Sequence, residues 1–186
     1  MYKVFEGKIN GAEIKEGSVV LINVPLKKLN EVNIDILKWY ISKKNYDAVY
    51  VTVNKPFSDV LDKFKKAEID INKMFVIDAV SPRSTGELVR TENAVFVGSP
   101  KELTNISITT TSAVKKLKTA KIIIFGSINT LLFYNDFKIV KDFIHFISSK
   151  MRELRVTFAM ICVKDMTDEK TISQLRSFVD EVIDIE

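Results

Sequence analysis

Cysteine, histidine, glutamine and tryptophan each occur once in this chain, and its 186 residues hold six glycines and four prolines. With one cysteine there is no internal disulfide, and Cys162, set in the apolar run VTFAMICV, reads as a small buried hydrophobe. The lone His145 has no second His or Cys at ligand spacing, which argues against a metal site. It falls beside Lys138, Lys141 and Asp142 on the polar side of a helical pattern, opposite Val140, Ile144, Ile147 and Met151. No run of about 18 apolar residues is present, so a membrane-spanning helix is excluded. The opening stretch MYKVFEGKIN carries no signal-peptide pattern, and a cytoplasmic chain is expected. A net charge of +4 is too small to mark a nucleic-acid binder. Without a Gly/Ser-rich linker, low-complexity run or internal repeat, residues 1–186 read as a single domain.

Apolar residues make up 46% of the chain, enough for a sizeable core. Lysine supplies 23 of the 28 cations and Gln174 is the only glutamine, a composition that fits a thermophilic source. The basic excess is diffuse, whereas residues 165–186 carry two cations and seven acids. The densest cationic cluster, Lys115, Lys116, Lys118 and Lys121, reads as a solvated face; DNA binding there would be weak and salt-dependent.

Apolar strands alternate with helical patterns, which predicts an α/β fold with a mainly parallel central sheet and helices on both faces. Strands are expected at 19–24, 48–53, 74–80, 95–97, 121–125, 156–163 and 182–185. Helices are expected over 32–42, from Pro56 onward, from a Ser99 cap onward, as one long segment from Gly126 to about Met151, and over 168–179. Phenylalanine falls mostly in the buried stripes of these elements, where core packing is its role.

The stretch VLINVPLKKLN, Val20 to Asn30, has the setting of a phosphate-binding loop: an apolar strand, a turn at Pro25, then an amphipathic helix. A working loop reads G-x-x-x-x-G-K-[ST], because glycine lets backbone N–H groups close around phosphate. Here Asn23, Leu26 and Lys28 stand near the glycine positions, and Leu29 and Asn30 near the Lys and Ser/Thr positions. Asn23, Pro25, Lys27, Lys28 and Asn30 thus mark a vestigial phosphate-loop region, and Lys27 and Lys28 read as ordinary loop lysines.

The segments EGSVVLINVP, AVYVTVNKP, MFVIDAVSP, SPKELTNISI and KIIIFGSINTLLFYND, taken in order, resemble one KaiC-type domain of the RecA-like ATPase group. The resemblance spans nearly the whole chain. It implies a P-loop NTPase fold with a ligand crevice beyond the C-terminal strand ends. It also implies a water-activating glutamate after the second strand, where Asn54-Lys55 stands, and a magnesium-holding Asp after Ile122-Ile123-Ile124, where Phe125-Gly126-Ser127 stands. Asn54 cannot take a proton at neutral pH and reads as a cap for the helix near Pro56. Ser127 and Asn129 read as caps of the next helix, and a hydroxyl is a weak magnesium ligand.

The residual ligand crevice is assigned to Asn54, Asp78, Arg83 and Ser127, with Asp78 read chiefly as an acceptor of turn amides. The expected function is a catalytically inactive, archaeal-type regulatory or protein-interaction domain with no catalytic residue, metal or cofactor. Its partner would be a protein, as a monomer or homodimer. One alternative is a nucleotide sensor or ATPase, with ATP and magnesium held at an atypical site by Lys27 or Lys28 and Asp78. Another is a recombinase-accessory module for single-stranded DNA.

Overall fold

A computed structural model describes residues 14–82, 89–117 and 119–186. Arg83, Gly86, Lys118 and the N-terminal stretch MYKVFEGKIN lie outside the described residues, as does the side chain of Lys121. Eight strands form one sheet: β1 Val19–Val24, β2 Asp47–Thr52, β3 Met74–Asp78, β4 Val89–Arg90, β5 Ala94–Phe96, β6 Ala120–Phe125, β7 Thr157–Val163 and β8 Glu181–Asp184. Their order is β4-β5-β3-β2-β6-β7-β1-β8. Every neighbouring pair is parallel except β4 with β5 at one edge.

The helices are α1 Leu29–Lys38, α2 Phe57–Lys66, α3 Leu103–Lys116, α4 Ile128–Tyr134, α5 Phe137–Glu153 and α6 Glu169–Arg176. None is long and apolar enough to cross a membrane among the described residues. All six residues of β1 are buried, as a strand covered on both faces requires. Alternation then sorts them. Val20, Ile22 and Val24 pack with Val32, Ile36, Val60 and Phe64 of α1 and α2. Val19 and Leu21 pack on the opposite face with Ile106, Leu131, Ile144 and Leu175 of α3, α4, α5 and α6.

Several element boundaries differ from the expected ones. The single long helix after Gly126 is two, α4 and α5, because Asn135 and Asp136 take extended backbone between them. Asn135 Nδ2 donates to Leu131 O at 3.0 Å and Pro100 O at 3.2 Å, which holds the break in place. Ser99 does not cap α3: its hydroxyl accepts from Lys101 N within a turn, and the helix begins at Leu103. The helix expected over 32–42 starts earlier, at Leu29, and its last turn widens to a π-helical turn over Trp39–Lys43. β4 has no counterpart in the expected strands.

The chain leaves β2 for β3 through α2 on one face and leaves β6 for β7 through α4 and α5 on the other. β2 and β6 are neighbours, so the connections part between them and open a crevice at their C-terminal ends.

Candidate functional site

The turn between β1 and α1 is only Pro25 plus one 3-10 turn, Leu26–Lys28, closed by Lys28 N donating to Pro25 O at 2.9 Å. Nothing in it wraps around a ligand. Leu26 N, the amide at the start of the turn, donates to Asp165 Oδ2 at 2.7 Å, so a carboxylate of the chain itself stands at the helix entrance. Lys28 Nζ donates to the main-chain oxygen of Glu186, and Lys27 is exposed. Asn23 is buried, with Nδ2 donating to Asp184 Oδ1 at 2.8 Å across to β8. Asn30 Oδ1 accepts from Lys63 Nζ at 2.9 Å.

The strand end after β6 is occupied by a neutral network. Ser127 has φ 48° and ψ 104°, a strained conformation for a residue with a Cβ. Its Oγ donates to Asn129 Oδ1 at 2.9 Å, which also accepts from Val163 N at 2.8 Å. Asn129 Nδ2 donates to Val163 O at 3.1 Å and Thr167 Oγ1 at 2.6 Å. The amide thereby pins the end of β7 as another strand would. Neither Ser127 nor Asn129 makes a capping bond to α4 from its side chain. Gly126 has a packing reason: a Cβ there would sit 2.8 Å from Tyr50 Oη and 3.3 Å from Val51 O. Cys162 is fully buried with Sγ 3.4 Å from Thr167 Oγ1, and desolvation pushes its thiol pKa up.

Asp78 is fully buried and its oxygens are saturated. Oδ2 accepts from Phe57 N at 2.7 Å and Ser81 Oγ at 2.6 Å, and Oδ1 from Val80 N at 2.7 Å and Ser81 N at 2.9 Å. It therefore caps α2 from the strand next to β2, the role the sequence suggested for Asn54. Asn54 makes no such bond.

The crevice itself is a cavity of 220 Å³ between α1 and α2, bounded by Asn30, Asn33, Asn54, Lys55, Lys63 and Ser127. Its floor is Tyr50 and Phe64, whose rings meet edge to face at 5.1 Å. Of the crevice residues expected from sequence, Asn54 and Ser127 line it; Asp78 does not, and Arg83 is outside the described residues. Of the cavity's two lysines, Lys63 is perturbed: desolvation, helped by the charge of Lys55, lowers its pKa from 10.5 to about 8, and burial pushes the Tyr50 phenol up. Asn33 Oδ1 is buried with no hydrogen-bond partner among the described residues, while its Nδ2 donates to Leu29 O at 2.8 Å.

Sequence reasoning missed Asp165, Lys63 and Asn33. Lys63 sits in the lysine-rich end of an amphipathic helix, with Lys65 and Lys66, and nothing local separates it from them. His145 lies against Phe178 at 5.9 Å between ring centroids. No group of three His, Cys, Asp or Glu is arranged to hold a metal among the described residues.

Residues 42–185 match the model of a family described as a family of unknown function (DUF7504). The match leaves out β1 and the turn after it. No curated protein matches the chain.

Proposed function

We propose that this chain, which belongs to the DUF7504 family, works as a catalytically inactive KaiC/RecA-like domain: a cytoplasmic regulatory module that binds a protein partner and does not hydrolyse ATP. The observation that carries the reading is the Leu26 amide bonded to Asp165, a chain carboxylate where a phosphate would be received. Two others support it. The strand end that would hold magnesium ends in the Ser127–Asn129–Thr167 network, which is neutral and internally satisfied. The residue after β2 that would activate water is Asn54, which has no basic oxygen at neutral pH.

Binding of a protein is supported by the outer face of α3 and α5. There Ile108, Ile139 and Phe146 are each more than half exposed beside Leu103 and Phe143, and they form one apolar groove. Contiguous exposed apolar patches are where proteins bind partners or ligands.

The test is phosphate release from Mg-ATP by the purified chain. Release no faster than in buffer is expected. Turnover that is lost in Lys28→Ala or Asp78→Asn would overturn the proposal in favour of an ATPase with an atypical site.

A further inference from the structure

The shape and charge of the outer face of α3 and α5 specify what can cover it. The two helices run side by side in the same direction. Asn135 Nδ2, just ahead of α5, donates to Pro100 O, just ahead of α3, at 3.2 Å, so their N-termini lie together. At the far end Lys150 Nζ bonds Glu153 Oε2 at 2.8 Å, and that bond, with the charge of Lys115 on α3, holds the Glu153 carboxyl below its ordinary pKa. Between these ends Leu103 and Phe143 form a buried floor, and the exposed Ile108, Ile139 and Phe146 stand beside it as walls. Of the residues that line the groove, only Thr104 and Ser107 are polar. A recess of this kind is filled by an apolar ridge; a flat bilayer surface leaves it empty.

Charge along the groove is one-sided. α3 reads LTNISITTTSAVKK and carries no carboxylate. Ile139, Phe143, Phe146 and Lys150 follow one face of α5 at helical spacing, and Ile108 and Lys115 lie about two turns apart on α3. Lys115 and Lys150 therefore close the apolar stretch at its C-terminal end, with exposed Lys116 beside them and Glu153 as the acid within reach. Asp142 is exposed on the flank of α5, about one turn from Ile139 and Phe146. A partner that meets the lysine end needs carboxylates. A second copy of this chain fits poorly, because its own α3 would bring lysines and no acid to the contact.

We propose that this groove binds an amphipathic α-helix of another protein, with apolar residues recurring at i, i+3, i+4 and i+7 and carboxylates at the end that meets Lys115 and Lys150. The helix is the partner that the protein-binding role proposed above requires, and the assignment rests on that role. Its apolar side chains enter between Ile108 and Phe146 and exclude water from both walls, and its acidic end sets the direction in which it lies. A helix of about three turns spans the roughly 16 Å from Thr104 to Lys115 along α3.

Fluorescence anisotropy with dye-labelled synthetic helical peptides tests it. The acidic peptide has leucines along one face and glutamates on the other and at one end. Its twin has lysine at every glutamate, and a third peptide scrambles the acidic sequence so that no apolar face forms. Each is titrated with the wild-type chain, with Phe146→Gln and with the double variant Lys115→Glu/Lys150→Glu. Saturable binding of the acidic peptide is expected, weakened about tenfold or more in Phe146→Gln, with the twin and the scrambled peptide binding more weakly. The double variant should reverse the preference and favour the lysine twin. Phe146 is 59% exposed, so Phe146→Gln should melt close to wild type, which separates lost binding from lost folding. Equally tight binding of the lysine twin, lost in Phe146→Gln, would leave the protein-binding role standing and overturn the acidic partner. Equal binding of the scrambled peptide, or no saturable binding of any peptide, would overturn it as well, whereas the inactive-domain reading fails separately, by ATP turnover. A dimer that Phe146→Gln dissociates would give the groove to a second copy, and co-sedimentation with phosphatidylserine vesicles that Phe146→Gln abolishes would give it to a membrane; either overturns the proposal.

Discussion

At Lys63, charge and burial oppose each other. Desolvation lowers its pKa to about 8, so near neutral pH the chain keeps a cation where water is scarce. Because the side chain still sees solvent, the cost is discounted to about 1 kcal/mol. Lys63→Met should therefore raise the melting temperature at pH 7 by about 2–4 °C in a chain of this size. The pH dependence follows from the direction of the shift. The folded state holds fewer protons than the unfolded state between about 8 and 10.5, so wild-type stability rises with pH across that window. The advantage of Lys63→Met should shrink from pH 8 upward and vanish near 10.5. Melts of both proteins along that range read it, and an advantage that stays constant would contradict the assigned cause. Ser127 shows a different balance: from its left-handed backbone the hydroxyl donates one bond to Asn129 Oδ1, and Asn129 in turn ties α4 to β7.

For the elements, the decisive bonds come from far along the chain. The N-terminus of α2 is capped by Asp78, 21 residues from Phe57, and the entrance of α1 by Asp165, 139 residues from Leu26. Asp78→Ala would leave Phe57 N, Val80 N, Ser81 N and Ser81 Oγ without their acceptor at a fully buried position. A loss of about 3–5 kcal/mol is expected, visible as a lower urea midpoint with little change in slope. A loss under 1 kcal/mol would mean that the capping role is small. This dependence on distant partners also sets what the sequence made legible. β1, β2, β3, β6 and β7 were readable because a doubly covered strand is a continuous apolar run, a local signal. The start of α3 is not legible locally, since Ser99-Pro100-Lys101-Glu102 carries every local cue for a cap and yet folds as a turn. The break between α4 and α5 depends on Asn135 reaching Pro100, 35 residues away, and the pattern on either side is apolar at helical spacing. Asn54 and Ser127 follow apolar strand runs, and both line the cavity. Lys63 and Asn33 were not found, because a lysine becomes a perturbed group only through what packs over it.

In the molecule as a whole, the strand order puts the parting of the β2 and β6 connections in the middle of the sheet, so the crevice follows from topology and does not depend on the residues that fill it. Those residues have divided it. The β1 side is closed by a short turn and the Asp165 carboxylate, whereas the α2 side keeps a 220 Å³ cavity with two cations. Away from the crevice, Ile108, Ile139 and Phe146 expose apolar surface on α3 and α5, where a partner would bury it. The closed β1 side is tested most directly by titrating Mg-ATP into the protein and into Lys28→Ala, with heat as the readout. Heat that does not saturate at millimolar nucleotide, or a saturable signal equal in both proteins, is expected if the turn receives no phosphate. Saturable binding to the wild type that Lys28→Ala abolishes would mean that the turn after β1 still holds a nucleotide.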